Sequence, residues 1–222
     1  MLKIQGHAKK LADSNFWLVK EVVLPNIMTI NGHEVSSVVC KFPKGNPNNI
    51  ELNIRNYKKC ARCQLPTLSF AEHGFFENQE CLVVEDLKTR PGKLYISPNT
   101  RQDCLFSESN EAVLTKHKLE NISNLEDLLS LFQQDARRAS CGRLTLSDDA
   151  IFFGINKETN LISDYLFADF DNIEESNDYS SPHHQTYEML QALYQFATEY
   201  IQESPKKEKL LERITTFAKS LL

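Results

Sequence analysis

Residues 16–42, FWLVKEVVLPNIMTINGHEVSSVVCKF, decide the fold. Two β-rich runs, 16–23 and 27–30, lead into Asn31-Gly32, and the alternating run HEVSSVVCKF follows. A two-residue turn between antiparallel strands needs positive φ at both positions, which Asn and Gly tolerate. The segment therefore reads as a β-hairpin, and the chain opens as sheet.

Outward from it, KGNPNN (residues 44–49) is a turn cluster ending at a helix cap, and Ile50, Ile54, Tyr57 and Ala61 then fall at helical spacing. That helix stops before Leu65-Pro66, because the residue preceding proline is pushed out of the α region. Two strand-like runs follow, TLSFAEHGFF (67–76) and ECLVVEDL (80–87). The tract 88–121 is irregular, punctuated by Pro91-Gly92 and Pro98-Asn99. Ser123 and Glu126 form a capping-box pattern ahead of the stripe Leu125, Leu128, Leu129, Phe132 and Ala136. IFFGI (151–155), a polar NKETN turn and SDYLFADF (163–170) predict a second hairpin. Ser181-Pro182 and Ser204-Pro205 each predict a helix start, with serine as the cap and proline in the first helical position.

Strands first and helices later predict an α+β fold in 222 residues, long enough for one sizeable core. A hydrophobic share of 41% with 25% charged residues excludes a disordered chain. The net charge of −5 argues against a nucleic-acid binder, and the pairs Lys58-Lys59 and Lys206-Lys207 read as solvated faces. No apolar run approaches a membrane span, and the first 19 residues contain no apolar core of a signal peptide. Six cysteines in such a chain are expected as reduced thiols, in the cytoplasm or in a protein delivered into a host cell without a Sec signal.

The order of elements, together with VVCKF (38–42), CLVVEDL (81–87) and YLFADFDN (165–172), resembles the protein-kinase-like superfamily. The ADFD stretch is similar to that of the aminoglycoside- and choline-kinase relatives. The resemblance implies a two-lobed domain. Residues 1–87 would form an antiparallel sheet with one helix, and 88–222 a mainly helical lobe. It implies ATP and Mg²⁺ as cofactors. Lys41 would hold the nucleotide phosphates, with Glu51 as the carboxylate orienting it. Glu85 and Leu87 would belong to the hinge that meets the adenine, and Asp169 and Asp171 would be the metal ligands.

The departures from that pattern are equally specific. No glycine occurs in 16–30, where backbone amides would need to approach phosphate. The catalytic-loop segment is CGRLTLSDDAIFFG (141–154). One register puts Thr145 at the catalytic base and Ala150 at the metal-binding asparagine; the other puts Arg143 and Asp148 there. Asp169, Asp148 and Asp149 are the candidates for a catalytic part. The expectation is thus a pseudokinase that binds a protein partner, with or without nucleotide. The alternative is an active atypical phosphotransferase or nucleotidyl transferase.

Other constellations stay open beside these. Cys60 and Cys63 form a CxxC, and with His73 and Cys81 they supply four nitrogen and sulfur ligands, the set that tetrahedral Zn²⁺ takes; buried free thiols are the competing reading. His183-His184 at a helix start reads as solvated, since neighbours in a helix point apart. No Cys–His–Asp spacing singles out a nucleophile. On residues alone Lys41 is more often a surface lysine than a phosphate ligand, and the kinase-like order brings the two readings level; Asp169 is a turn cap as readily as a metal ligand.

Overall fold

A computed structural model describes residues 1–46, 48–98, 119, 122–156, 158–159, 161–175 and 180–221. Most of the irregular tract 88–121 lies outside the described residues.

The first element, β1 (Leu2–Ile4), is followed by β2 (His7–Asp13), β3 (Trp17–Ile30) and β4 (His33–Pro43). Asn31 and Gly32 join β3 to β4 with φ of 51° and 84°, the geometry a two-residue hairpin requires. The two runs expected in 16–30 are one long strand whose pairing shifts register between Val23 and Met28. Pro25 lies in that gap and has no N–H to give the ladder. After α1 (Asn48–Arg62) come β5 (Ala71–Phe76) and β6 (Gln79–Glu85). Their turn is another pair of positive-φ residues, Glu77 and Asn78.

These strands make one six-stranded sheet in the order β1-β5-β6-β4-β3-β2. The sheet is mixed rather than purely antiparallel, because β1 pairs parallel to β5. The outer strand β2 displays Lys9 and Lys10, charges that discourage edge-to-edge pairing. Strand alternation divides the sheet's faces. Val38, Cys40, Phe42, Cys81 and Val83 pack into one core with Phe76 and Ile4. Leu82 and Val84, with Val39 packed against them, face the other core, which α1 and the second half of the chain complete.

Beyond β6, a 3-10 turn at Leu87–Thr89 leads to β7 (Lys93–Ile96). The helix α2 (Leu125–Cys141) buries its apolar stripe as expected, but Asn124 caps it and makes no side-chain bond. The capping box expected from Ser123 does not form. Asn124 has φ −103° and ψ 29° rather than the extended backbone a side-chain cap uses. Then come β8 (Leu144–Leu146), a 3-10 turn at Asp148–Ala150, β9 (Ile151–Asn156) and β10 (Ile162–Phe167). A further 3-10 turn at Phe170–Asn172 leads into β11 (Ile173–Glu175). Strand β9 lies between β10 and β7, and β11 pairs with β8.

Helices α3 (Pro182–Tyr200) and α4 (Pro205–Lys219) begin where Ser-Pro predicted. Ser181 accepts from His184 N at 3.1 Å, and Ser204 accepts from Lys207 N at 3.2 Å. The two halves are sewn together at Phe167, whose N–H donates to Pro66 O at 2.8 Å beside a parallel bridge to Thr67. Among the described residues no helix is long and apolar enough to cross a membrane.

Candidate functional site

Lys41 stands on β4 between Val19 of β3 and Leu82 of β6. Alternation turns it away from the Cys40 core and toward α1 and the turn after β10. There its ammonium donates to Asp169 Oδ1 at 2.8 Å and lies 3.7 Å from Asp171 Oδ2. The lysine side chain is 13% exposed, and the Trp17 ring lies 5.2 Å from its nitrogen, within cation–π range. Burial alone would push the Lys41 pKa down. The carboxylates of Asp169 and Asp171 more than offset that and hold it above the usual lysine value. The Trp17 indole N–H is buried without an acceptor among the described residues.

The inner face of α1 holds the aspartate turn in place. Asn53 donates to Asp171 Oδ1 at 2.5 Å and to its own helix at Asn49 O. Asn56 donates to Phe170 O at 3.0 Å and Ile173 O at 2.6 Å, spanning the whole turn. Both asparagines are buried. Glu51, expected to orient Lys41, is exposed, and Lys41 forms its ion pairs with Asp169 and Asp171. Glu51 and Asn53 are two helical steps apart, about 200° around the axis, so only one of them faces the sheet. Where the resemblance implied a carboxylate, α1 presents amides.

The turn Phe170–Asn172 packs against the turn Asp148–Ala150. Asp148 is engaged locally: its Oδ1 accepts from Asp149 N at 2.9 Å and from Ser147 Oγ at 3.2 Å, and its Oδ2 from Gln195 at 3.4 Å. Asp149 sits beside it, half-buried. The structure thus brings Lys41, Asp169 and Asp171 together, with Asp148 and Asp149 in the adjoining turn. Among the described residues no three His, Cys, Asp or Glu side chains are placed to hold a metal ion.

The hinge candidates are tied into a different network. The Glu85 carboxylate accepts two bonds from Arg90, at 2.7 and 2.8 Å, and one from Ser69 N at 2.7 Å. Burial pushes its pKa up, but the Arg90 guanidinium and the Ser69 amide outweigh that and leave it below the usual range. Arg90 continues to Tyr95 OH, and Tyr95 donates to Asp164, which also holds Lys93. The Leu87 carbonyl accepts from Arg90 N at 3.3 Å and the Asp86 carbonyl from Thr89 N at 3.0 Å.

At the other rim, residues 14–16 turn β2 into β3 just ahead of Trp17, whose ring lies against the Lys41 ammonium. Ser14 Oγ accepts from Phe16 N at 3.2 Å and Trp17 N at 3.0 Å. A serine hydroxyl therefore occupies amides at the place where the resemblance expected open, glycine-borne ones.

The four residues of the zinc reading do not converge. Cys81 faces the core that also holds Cys40, while Cys60 lies in the core on the other side of the sheet. His73 Nε2 lies at 2.5 Å from Glu80. His183 and His184 are exposed at the start of α3.

Asn53, Asn56, Trp17 and Arg90 were not singled out from the sequence. One signal existed for the asparagines. They are weak helix formers placed three apart in line with Ile50 and Cys60, positions where a helix carrying only packing would put apolar side chains.

No family model matches the chain, and no curated protein does. Among solved structures, the crystal structure of a Helicobacter pylori proinflammatory kinase, CtkA, is similar at a TM-score of 0.50 and 10% identity. The match covers 100% of this chain and 95% of that one. At that identity the likeness concerns the fold, which is α+β and kinase-like.

Proposed function

We propose that the chain is a kinase-like domain that binds a nucleotide around Lys41 and Asp169 and serves as a regulatory module for a protein partner. One observation carries this reading: the β4 lysine and the aspartate after β10 meet at 2.8 Å across 128 residues. Lys41 would contact phosphate oxygens, and Asp169 with Asp171 would hold the accompanying Mg²⁺. The residues fit that task in kind, since a sheltered cation and two carboxylates meet there. The unpaired Trp17 N–H adds a donor for a ligand oxygen. Bound Mg²⁺ would neutralise phosphate charge; the chain's own part is to orient the phosphates and exclude water.

The pseudokinase character rests on substitutions. Amides stand on α1 where a carboxylate would orient Lys41, Ser14 holds the amides of the β2–β3 turn, and neither register of 141–154 supplies an ordinary base. In the two-lobed reading, residues 1–87 carry the six-stranded sheet with α1. Residues 88–222 carry the helices α2–α4 and the smaller sheets.

A thermal-shift assay with ATP or ADP, with and without Mg²⁺ or Mn²⁺, tests the nucleotide half. A rise in Tm for wild type that is lost in Lys41→Ala and Asp169→Ala is expected; no rise under any condition overturns it. The second reading, an active phosphotransferase, is favoured by the packing of Asp148–Ala150 against the Asp169 turn. Transfer of labelled phosphate to protein or small molecule, lost in Asp169→Ala, would put that reading first.

A further inference from the structure

The outer face of α1 borders a groove of ≈ 600 Å³ whose lining also includes Gly142, beyond α2, and Glu175 of β11. Arg55, Lys58, Lys59 and Arg62 line it in one helical stripe, against only two carboxylates, Glu51 and Glu175. Four cations less two anions leave +2 here, in a chain whose net charge is −5. Lys59 is spent on Glu175 at 2.5 Å, which shows that a carboxylate seats in this groove. Arg55, Lys58 and Arg62 are exposed and form no ion pair among the described residues.

We propose that this groove docks an extended acidic segment of a partner protein, with Asp or Glu at alternate positions. The spacing suits that ligand. Successive cations on a helical stripe stand about 5–6 Å apart. Alternate side chains of an extended peptide stand about 6.6 Å apart on one face. Ile54 and Cys63 add apolar lining for the methylene stems of those acidic side chains. Nucleic acid fits less well. Four cations fall short of the roughly 6–10 phosphate contacts of a duplex binder, and Glu51 and Glu175 would face the phosphates. Because the inner face of the same helix holds Asp171 and the carbonyls of Phe170 and Ile173, a docked segment would bear on the helix that fixes the aspartate turn. The inference rests on the partner-binding half of the proposed function and not on the nucleotide half.

The test is fluorescence anisotropy with a labelled peptide of about ten residues alternating Glu and Ser, at roughly 50 mM salt so that screening is modest. Wild type, Lys41→Ala and the triple variant Arg55→Glu/Lys58→Glu/Arg62→Glu are compared. Saturable binding is expected for wild type and Lys41→Ala, weakened roughly tenfold or more in the triple variant, as for loss of several complementary charges. A circular-dichroism melt checks the triple variant's fold, and Lys58→Glu alone, with a smaller loss in the same direction, replaces it if that fold fails. Three results would overturn the proposal: no saturable binding to wild type, undiminished binding to the folded charge-reversed protein, or tighter binding of labelled oligothymidylate than of the peptide. Loss of the nucleotide shift with peptide binding intact refutes only the nucleotide reading, and the reverse pattern refutes only this one.

Discussion

Lys41 Nζ and Asp169 Oδ1 lie 2.8 Å apart, in a pair that is sheltered on the lysine side and 34% exposed on the aspartate side. Its worth therefore falls between a surface pair, near 0–1 kcal/mol, and a buried one, whose breaking costs about 3–5 kcal/mol. Asp169→Asn leaves Lys41 with Asp171 alone, and urea unfolding should show a loss of about 1–2 kcal/mol. A loss near zero would mean that solvent already screens the pair.

Asn56 bridges two carbonyls of the aspartate turn from a buried position. Asn56→Ala strands both acceptors, and a cost of about 2–4 kcal/mol is expected from two lost bonds. The same variant should diminish the nucleotide-dependent Tm rise, although Asn56 contacts neither Lys41 nor a carboxylate of the site. An unchanged rise would separate the turn's position from binding.

Glu85 has its folded pKa held below the usual carboxylate range, chiefly by Arg90 once burial is overcome. The unfolded chain therefore takes up this proton at higher pH than the folded one. The stabilisation is fully present above the unfolded pKa of about 4.3 and drains away as pH falls through the lower, folded value. Urea midpoints measured from pH 6 down to pH 3 (roughly the window set by that pKa) should fall less steeply in Glu85→Gln than in wild type.

Gly154 sits in β9 where a methyl group would overlap the Asp164 carboxylate and press on Tyr95. Gly154→Ala must displace the acceptor shared by Tyr95 and Lys93, and about 1–3 kcal/mol of overpacking is expected. A Tm equal to wild type would show that the Tyr95–Asp164 contact yields without cost.

Thiol reactivity should follow exposure and ionisation among the described cysteines. Cys141 is exposed, whereas Cys60 is buried with its thiol pushed up to about 12, mainly by burial. Peptide mapping after brief iodoacetamide treatment should find Cys141 modified first, with Cys40, Cys60 and Cys81 labelled only on unfolding. Early labelling of Cys60 would contradict the core packing described for α1.

What the sequence made legible was local. Asn31-Gly32, Ser181-Pro182 and Ser204-Pro205 carry their conformations within two residues, and each stands where expected. Strand β2 was missed because HAKKLAD is a polar edge whose partner, β3, defines it. Strands β7, β8 and β11 are three or four residues long and exist only through pairing with distant partners. Within the candidate site, Lys41 and Asp169 could be picked out through the kinase-like resemblance of VVCKF and YLFADFDN, and not from strand patterning alone. The phase of α1 could not. Reading Ile50, Ile54, Tyr57 and Ala61 as the inner stripe leaves Ala61 inside, yet it is exposed. The buried line runs through Ile50, Asn53, Asn56 and Cys60, where two polar residues hide it from any hydrophobicity pattern.

The bond from Phe167 N to Pro66 O and the bridge to Thr67 join points about a hundred residues apart. Closing so long a loop gives no return until both partners exist, so contacts of this kind form late. During synthesis the hairpins of residues 1–85 emerge with their local partners already made. Lys41 then waits, a cation with no carboxylate, until β10 and the turn behind it leave the ribosome. The site therefore cannot assemble before β10 and the turn behind it are made, and a chain stalled before residue 167 would lack both carboxylates that meet Lys41.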